Sequence, residues 1–443
     1  MNNSKSELAS SFHEEKKTSV DPNVFPTDGV SKNGIESTSS NMSKVKNLSA
    51  FWLFGLCNNF AYVIMLSSAH DILKEQTNQT TSGDNSTIIS NSTRLCNQIS
   101  TGAVLLADII PTLLIKLTAP FFMEHFPYGL RNGVVIFFQA ASYLIVSFSV
   151  NVSMSLFGVV CASIGSGLGE ITFLSFASFF HRDVISTWSS GTGGAGIFGA
   201  LSYASITQAG VTPRNTVLIM LVVPVAMAAS FWLLLDFPAR VYRPQVLKPK
   251  TWLVPVGIQQ TSTGHQSHKI SFQQKICLIK PLLKYMIPLG AVYAGEYFIN
   301  QGLHELINFK GIWLTHEDQY RWYQVDYQLG VFISRSSVNL LTIKSRFLPF
   351  LALLQLVNVV VFFCEAYYLF VPTIWIVFGL IFYEGLLGGA AYVNTFYQIR
   401  HEVSPEYVEF SLGMASVADS TGIVIAGLTS IPVHNWICSQ PLS

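Results

Sequence analysis

Ionisable side chains interrupt several long apolar stretches of this chain of 443 residues. Five of them are acids and two are bases: Asp108, Glu170, Glu296, Glu384 and Asp419, with Lys116 and Arg335. In a lipid bilayer each charged group would cost at least roughly 3 kcal/mol, so each is expected to face the protein interior. Groups of this kind can bind protons, ions or small charged molecules.

The segment YAGEYFINQGL carries the densest set of polar groups. On a helix, Tyr293, Glu296 and Asn300 follow one another at intervals of three and four residues and share one face. Gln301 comes next in the chain. Such a stripe is unfavourable against lipid. It therefore either lines a cavity or packs into a buried hydrogen-bond network that holds helices together, and the sequence leaves both interpretations open.

Arg335 is the strongest candidate for binding an anion, because its planar guanidinium matches phosphate and carboxylate groups. Gln328 and Asn339 are predicted to share its helix face. Arg335 can also neutralise one of the acids, and the two roles are compatible in different states of a transport cycle. Lys116 lies nearer the edge of its apolar stretch, so its long side chain is predicted to reach the membrane interface.

Further polar groups lie among small residues. Glu170 ends the stretch ASIGSGLGE. Glu384 and Tyr392 share a face in YEGLLGGAAYVNTF, with Asn394 near its end, and Asn58 lies in the first apolar stretch. Small residues let helices approach closely. The glycine-rich stretch SSGTGGAGIFG is predicted to pack helices in the same way, because it lacks the lysine of a phosphate-binding loop.

Five acids against two bases leave some carboxyl groups without a cation. A buried carboxyl group without a cation is most stable with its proton bound. This permits proton coupling, and it equally permits neutral hydrogen bonding. On this basis Asp108, Glu170 and Asp419 are predicted to form a proton or charge network.

Motifs of intramembrane enzymes, such as HExxH and GxSxG, are absent from the sequence. Six cysteines are scattered without CxxC spacing, which argues against a metal cluster. We therefore predict no catalytic residue, no metal and no cofactor. Cys96 and Cys438 can pair if both face an oxidising lumen.

The composition indicates an all-α polytopic membrane protein embedded in the lipid bilayer. Half of the residues are hydrophobic and 12% are charged, whereas soluble domains carry about 25% charged residues. The net charge of +1 gives no reason to expect a nucleic-acid partner. Apolar stretches of about 20 residues can cross a bilayer, and eleven are predicted to do so: 48–69, 99–122, 130–150, 153–178, 190–209, 215–235, 281–303, 322–342, 347–369, 371–397 and 407–431.

Glycosylation motifs and basic residues predict the orientation of these spans. Three motifs, at Asn78, Asn85 and Asn91, lie in the loop 74–98 after the first span. Glycans are added in the lumen, so this loop is predicted to be lumenal and the N-terminus cytosolic. The positive-inside rule agrees, because the loop 236–280 between spans six and seven is rich in Lys and Arg.

This layout predicts two pseudo-symmetric bundles, of six helices in residues 47–235 and five in 281–431. Residues 1–46 are predicted to be a disordered cytosolic segment, and residues 432–443 a lumenal tail. Two such bundles are typical of secondary transporters. A membrane trafficking scaffold is the second interpretation, with cytosolic partners at 1–46 and 236–280. A scaffold, however, does not need ionisable groups at membrane depth.

Seven blocks of the sequence, among them EYFINQGL and YRWYQVDYQLGVFISRSS, resemble the battenin family, which is linked to juvenile Batten disease (a neuronal ceroid lipofuscinosis), and especially its vertebrate members. The resemblance runs from about residue 48 to 431. It implies a lysosomal and late endosomal membrane protein with a major-facilitator-like fold, distantly similar to equilibrative nucleoside transporters. It also implies a role in clearing glycerophosphodiesters, the deacylated remains of phospholipids. Fungal relatives imply basic amino acid transport or pH regulation instead. The acidic dileucine signal expected in the central loop is absent from this sequence, so lysosomal localisation rests on the resemblance.

A glycerophosphodiester carries a phosphate, several hydroxyl groups and often an amine, and the polar residues suit these groups. Arg335 is predicted to bind the phosphate. The other predicted substrate-binding residues offer amide, carboxylate and aromatic groups for the hydroxyls and the amine: Asn58, Tyr293, Glu296, Asn300, Gln301, Glu384, Tyr392 and Asn394.

Overall fold

A computed structural model of the chain describes residues 33–81, 101–239, 241–244, 248, 251–254 and 272–441. Within these ranges the regular elements are all helices. The α-helices are α1 Asn33–Thr81, α2 Thr101–Thr118, α3 Tyr128–Ser147, α4 Val152–Phe176, α5 Val184–Gln208, α6 Pro213–Ile219, α7 Val222–Ala229, α8 Phe272–Phe298, α9 His316–Ser336, α10 Leu348–Tyr368, α11 Ile374–Glu402, α12 Val408–Ala415 and α13 Val417–Ser439.

Eight helical segments of the described chain are long and apolar enough to cross a membrane. They are α1, α3, α4, α6 with α7, α8, α10, α11, and α12 with α13. Of the other three long helices, α9 is much less apolar, α5 is rich in Ser, Thr and Gly, and α2 is a short helix of 18 residues that carries Asp108 and Lys116. Together these segments match the predicted spans in number and order, so the predicted all-helical fold class is confirmed.

Helices at the two ends of the described chain are longer than predicted. Helix α1 begins at Asn33, inside the segment 1–46 that the sequence predicts to be disordered. Helix α13 continues to Ser439, so most of the segment 432–443, predicted as a tail after the last span, extends that span as helix. Burial of Ile437 against a second apolar cluster explains this extension.

Two further predicted boundaries differ from the structure. The loop predicted over 236–280 ends earlier, because α8 begins at Phe272. Helix α9 ends at Ser336, so Asn339 lies in the following turn and does not share a helix face with Arg335, as the sequence had predicted. Serine and asparagine after Arg335 favour this end, because their side chains compete for backbone hydrogen bonds.

Helix α11 holds the segment that follows α9. The Asn394 side chain accepts a hydrogen bond from the Ile343 N–H (2.7 Å) and donates one to the Ala390 carbonyl (2.9 Å). The Gln398 side chain donates to the Ile343 carbonyl (2.7 Å). Both polar groups of the Ile343 backbone are thus satisfied by α11.

Helices of the first half of the chain pack mainly on one another, with α5 against α1 and α4 against α1, α2 and α3. In the second half, α8 packs against α10, α11 and α13, and α9 against α11. The halves meet where α5 packs on α9, α2 on α13, and α4 on α12. Polar groups placed along these contacts can therefore connect the two halves.

Close packing of α1 on α5 depends on glycine, as the sequence predicts. A Cβ atom at Gly55 would meet the Trp188 backbone, and one at Gly191 would meet the Trp52 backbone. The tight contact buries Trp188 completely, with its ring 5.5 Å from that of Phe173. This packing fixes Trp188 at the edge of the polar groups described next.

Candidate functional site

Lys116 on α2 lies at the centre of a buried group that we call the charged triad: Lys116, Glu170 and Asp419. Its Nζ atom is 2.7 Å from Glu170 Oε2 on α4 and 2.9 Å from Asp419 Oδ1 on α13. The Lys116 side chain is 2% exposed. The prediction that it reaches the membrane interface was therefore wrong, because two carboxylates in the protein interior hold its ammonium group.

Tyr392 on α11 connects the charged triad to Arg335. Its hydroxyl donates to Glu170 Oε1 (2.9 Å) and accepts from Trp188 Nε1 (3.3 Å). Its ring lies against the guanidinium, with the Arg335 Cζ atom 4.2 Å from the ring centroid. A desolvated contact of this kind contributes about 2 kcal/mol.

Arg335, in the last turn of α9, contacts hydroxyl groups and an aromatic ring. Its two terminal nitrogens donate to Thr192 Oγ1 on α5 and to the Tyr293 hydroxyl on α8, each at 2.7 Å. Its Nε atom is buried without a partner in the described part of the chain. No carboxylate of the described residues forms an ion pair with Arg335. We call Thr192, Tyr293, Arg335 and Tyr392 the arginine site.

Glu296 faces a second polar group, which does not include Arg335. Glu296 Oε1 accepts a hydrogen bond from the Tyr327 hydroxyl on α9. The Asn300 side chain donates to the Glu296 carbonyl and to Glu384 Oε1 on α11, each at 3.1 Å, and accepts from Gln324 Nε2 at 3.3 Å. The stripe predicted from the sequence is thus divided, because Tyr293 binds Arg335 whereas Glu296 and Asn300 bind elsewhere.

A π-helical turn at Ile299–Leu303 ends α8 and shapes this second group. Such turns are rare and frequently mark functional sites. The following His304 lies with its Nε2 atom 3.4 Å from Glu384 Oε2. We call Glu296, Asn300, His304, Tyr327 and Glu384 the carboxylate site.

Several atoms of the carboxylate site have no hydrogen-bond partner within the described chain. These are Glu296 Oε2, Glu384 Oε2 and both ring nitrogens of His304, all of them buried. Buried polar groups are normally satisfied. A site with two carboxyl groups and no lysine or arginine suits a proton or a cationic group of a ligand.

Four predicted site residues lie outside these groups. Asn58 donates to the Ser166 carbonyl (3.1 Å) between α1 and α4. Asn394 is engaged by the segment after α9, as described above. Asp108 is buried on α2 with neither carboxylate oxygen bonded within the described residues, so it does not join Glu170 and Asp419 as predicted. Gln301 is buried in the π-helical turn.

Three residues of the two sites, and Trp188 beside Tyr392, were not predicted from the sequence. His304 lies four residues after Asn300, and Tyr327 lies on the face of α9 that includes Arg335. This helical spacing was a usable signal. Thr192 and Trp188 lie in a glycine-rich stretch whose pattern indicates packing alone, so nothing in the sequence identified them.

The remaining predictions concern the lumenal side and metals. Asn85, Asn91 and Cys96 lie outside the described residues, and Asn78 lies in α1. Cys438 is in a disulfide bond. Among the described residues, no group of three or more His, Cys, Asp or Glu side chains could hold a metal ion.

Comparison with known proteins gives the same family over nearly the whole chain. The profile of the CLN3 protein family matches residues 49–440. Canine battenin is 47% identical over 417 residues, covering 89% of this chain and 91% of battenin. Protein BTN1 of Saccharomyces cerevisiae is 35% identical over 413 residues, covering 89% of this chain and 95% of BTN1.

Solved structures of transporters share the fold at low sequence identity. The human organic anion transporter MFSD10 superposes with a TM-score of 0.57 at 11% identity, covering 89% of this chain and 95% of that chain. A bacterial homologue of the human lysosomal transporter Spinster gives a TM-score of 0.51 at 13% identity, covering 86% of this chain and 80% of that chain. These similarities confirm the major-facilitator-like fold. From its match to the family profile and its identity to battenin, this multi-pass membrane protein belongs to the CLN3 protein family.

Proposed function

We propose that this protein is a transporter that exports glycerophosphodiesters from the lumen of lysosomes and late endosomes to the cytosol. One observation carries the proposal. Arg335 is buried among hydroxyl groups and an aromatic ring, and no carboxylate of the described residues forms an ion pair with it. A buried guanidinium without a counter-ion is unfavourable, and the phosphate of a phosphodiester would supply that counter-ion with two parallel hydrogen bonds.

The carboxylate site supports the rest of the substrate assignment. Tyr293 of the arginine site and Glu296 of the carboxylate site lie one helical turn apart on α8. A ligand whose phosphate binds Arg335 therefore has its hydroxyl groups or amine within reach of Asn300, Gln301 and the two carboxyl groups. Asn58 and Asn394 are not part of this proposal, since they contact backbone elsewhere.

Alternating access is part of the proposal because the arginine site draws on both halves of the chain. Thr192 comes from α5, whereas Tyr293, Arg335 and Tyr392 come from α8, α9 and α11. A substrate bound between two bundles can be exposed first to one side and then to the other.

We further propose that the N-terminus is cytosolic, with the loop 74–98 glycosylated and lumenal. The lysosomal location rests on the resemblance to the battenin family.

Basic amino acid transport, with an effect on lysosomal pH, is the alternative that a specific observation favours. Glu296 and Glu384 have unsatisfied buried oxygens, and neither forms an ion pair with a lysine or arginine of the described residues. Such a pair suits a cationic side chain. A trafficking scaffold with cytosolic partners remains a separate class, for which the two buried sites would have no use.

Transport by the purified full-length protein in proteoliposomes tests these assignments. We expect saturable uptake of labelled glycerophosphocholine that excess unlabelled glycerophosphodiester suppresses and arginine or adenosine does not. Saturable arginine uptake instead would support the alternative. The scaffold interpretation would stand if none of the three compounds shows saturable flux.

Two variants of α9 test the anion assignment. Arg335→Ala is expected to raise the KM for glycerophosphocholine about 10- to 100-fold, because a hydrogen bond to a charged group contributes about 1.5–3 kcal/mol. Arg321→Ala is the matched control, since Arg321 lies on the same helix with its side chain 65% exposed. Equal KM values for the two variants would remove Arg335 from the substrate site.

A further inference from the structure

In the charged triad a single ammonium group serves two carboxylates. Glu170 uses both oxygens, with Oε2 facing Lys116 and Oε1 accepting from Tyr392. Asp419 accepts from Lys116 and from Ser420 on Oδ1 alone. Among the contacts of the described residues, Asp419 Oδ2 accepts no hydrogen bond, so it is the carboxylate oxygen of the triad where a proton can add without breaking a bond.

We propose that Asp419 binds the coupling proton on Oδ2, so that each phosphodiester crosses the membrane with one proton. An O–H bond forms there with a proton from the lumen and breaks when the proton leaves to the cytosol, and nothing is oxidised or reduced. This inference rests on the proposed function. It adds a separate ion site, on the other side of Tyr392 from Arg335.

The groups around the triad belong to four further helices. Tyr392 on α11 interacts electrostatically with Glu170, Arg335 and Asp419. From α8, Tyr293, Glu296 and Tyr297 also interact with Asp419. Helix α5 contributes the uncharged Trp188 and Thr192. Arg335 on α9, the group that we assign to the phosphate, shares the neighbours Tyr293 and Tyr392 with Asp419.

Charge balance gives the expected stoichiometry. Lys116 and Arg335 are offset by ionised Glu170 and Asp419, so the arginine site and the charged triad are neutral together when empty. The phosphate of any phosphodiester would add one buried negative charge there, which is unfavourable, whereas the amine of glycerophosphocholine would lie apart from it, at the carboxylate site. One proton on Asp419 removes that excess, and this is why we expect one proton for each phosphodiester.

Proton binding also changes the contact between the two halves. Asp419 is on α13, and its ion pair with Lys116 lies where α13 packs on α2. A neutral Asp419 no longer attracts the Lys116 ammonium, which then pairs with Glu170 within the first half. The proton thus weakens a bond between the halves while the substrate is bound, which links proton uptake to the movement required for transport.

Wild-type protein in proteoliposomes gives the first test. Proton movement, followed with a pH indicator, and uptake of labelled substrate are measured in the same preparation. The two substrates are glycerophosphoglycerol, with one negative charge, and glycerophosphocholine, with no net charge. We expect one proton per substrate for both. Glycerophosphoglycerol uptake should then generate no current, whereas glycerophosphocholine uptake should move one positive charge. Uptake of either substrate without proton movement would overturn the proposal.

Variants separate proton coupling from substrate binding. In Asp419→Asn we expect loss of accumulation driven by a pH gradient, with substrate exchange between the two sides retained. Asp108→Asn, a buried carboxyl group of the same membrane region outside the triad, should keep both activities. Gradient-driven accumulation in Asp419→Asn would overturn the coupling proposal and leave the proposed function standing. Absence of exchange in the wild type would instead overturn the proposed function.

Discussion

At the scale of single residues, the sequence indicates which side chains are out of place in lipid but not which ones meet. Glu296 and Arg335 appear in the sequence as possible partners. In the structure Arg335 binds Thr192 and Tyr293, whereas Glu296 binds Tyr327. Which side chains meet depends on how each helix is rotated about its axis. Successive residues of an α-helix are about 100° apart around that axis, so a shift of one position turns a side chain to another face. Residue spacing on separate helices carries no such information.

Lys116 provides a prediction about stability. Lys116→Met should lower the free energy of unfolding by about 3–5 kcal/mol, because it leaves Glu170 and Asp419 buried without their shared cation. The double variant Lys116→Met with Asp419→Asn should recover part of this loss, since it leaves a single carboxylate that Tyr392 still binds. Thermal unfolding of the purified proteins in detergent measures both changes. A double variant less stable than Lys116→Met would contradict the ion pairs.

Tyr392 separates the contribution of a ring from that of a hydroxyl group. Tyr392→Phe keeps the ring beside Arg335 and removes the hydroxyl that donates to Glu170. Tyr392→Leu removes both. If the ring helps to position the guanidinium, KM should rise about 5- to 30-fold more in Tyr392→Leu than in Tyr392→Phe, which corresponds to about 1–2 kcal/mol. Equal KM values in transport assays would show that the ring contact does not affect substrate binding.

At the scale of elements, the existence and order of the helices were predictable, whereas their ends and irregular turns were not. Runs of about 20 apolar residues identify spans with little ambiguity. Local residues favour the end of α9 at Ser336, but the path of the segment after it depends on Asn394 and Gln398, which bind Ile343 from a helix far along the chain. The π-helical turn at Ile299–Leu303 likewise has no local sequence signature. Such features are decided by tertiary contacts, so a single sequence does not reveal them.

Asn394 distinguishes a structural role from the substrate contact predicted for it. Asn394→Ala leaves the Ile343 N–H without its acceptor, so stability should fall by about 1–3 kcal/mol. The KM for glycerophosphocholine should stay within about twofold of the wild-type value. Thermal unfolding and uptake kinetics of the same preparation test both expectations. A large rise in KM with unchanged stability would restore Asn394 to the substrate site.

At the scale of the whole molecule, polar side chains bridge the two halves of the chain at one membrane face. It is the face where the segment between α7 and α8 lies. Tyr128 at the start of α3 donates to Glu409 on α12 (2.5 Å), and Lys275 on α8 pairs with Glu124 (2.9 Å). Arg400 near the end of α11 donates to the Ser178 and Phe180 carbonyls at 3.1 and 3.2 Å. In the orientation proposed above this face is cytosolic, so the structure represents the state closed to the cytosol.

These contacts predict how the balance between states can be shifted. Glu409→Ala together with Lys275→Ala removes two bonds between the halves at this face and leaves the arginine site and the charged triad unchanged. Each lost hydrogen bond to a charged group lowers the stability of the closed state, relative to the open state, by about 1.5–3 kcal/mol. Because a two-state equilibrium changes tenfold for about 1.4 kcal/mol, the population open at this face should rise at least tenfold. Spin labels at His125 and Glu406, measured by double electron–electron resonance, would show this open population as a larger component at a longer distance.

The matched control is Lys310→Ala, which alters a lysine outside these contacts. Identical distance distributions in the double variant and the control would show that the contacts do not hold the cytosolic face closed.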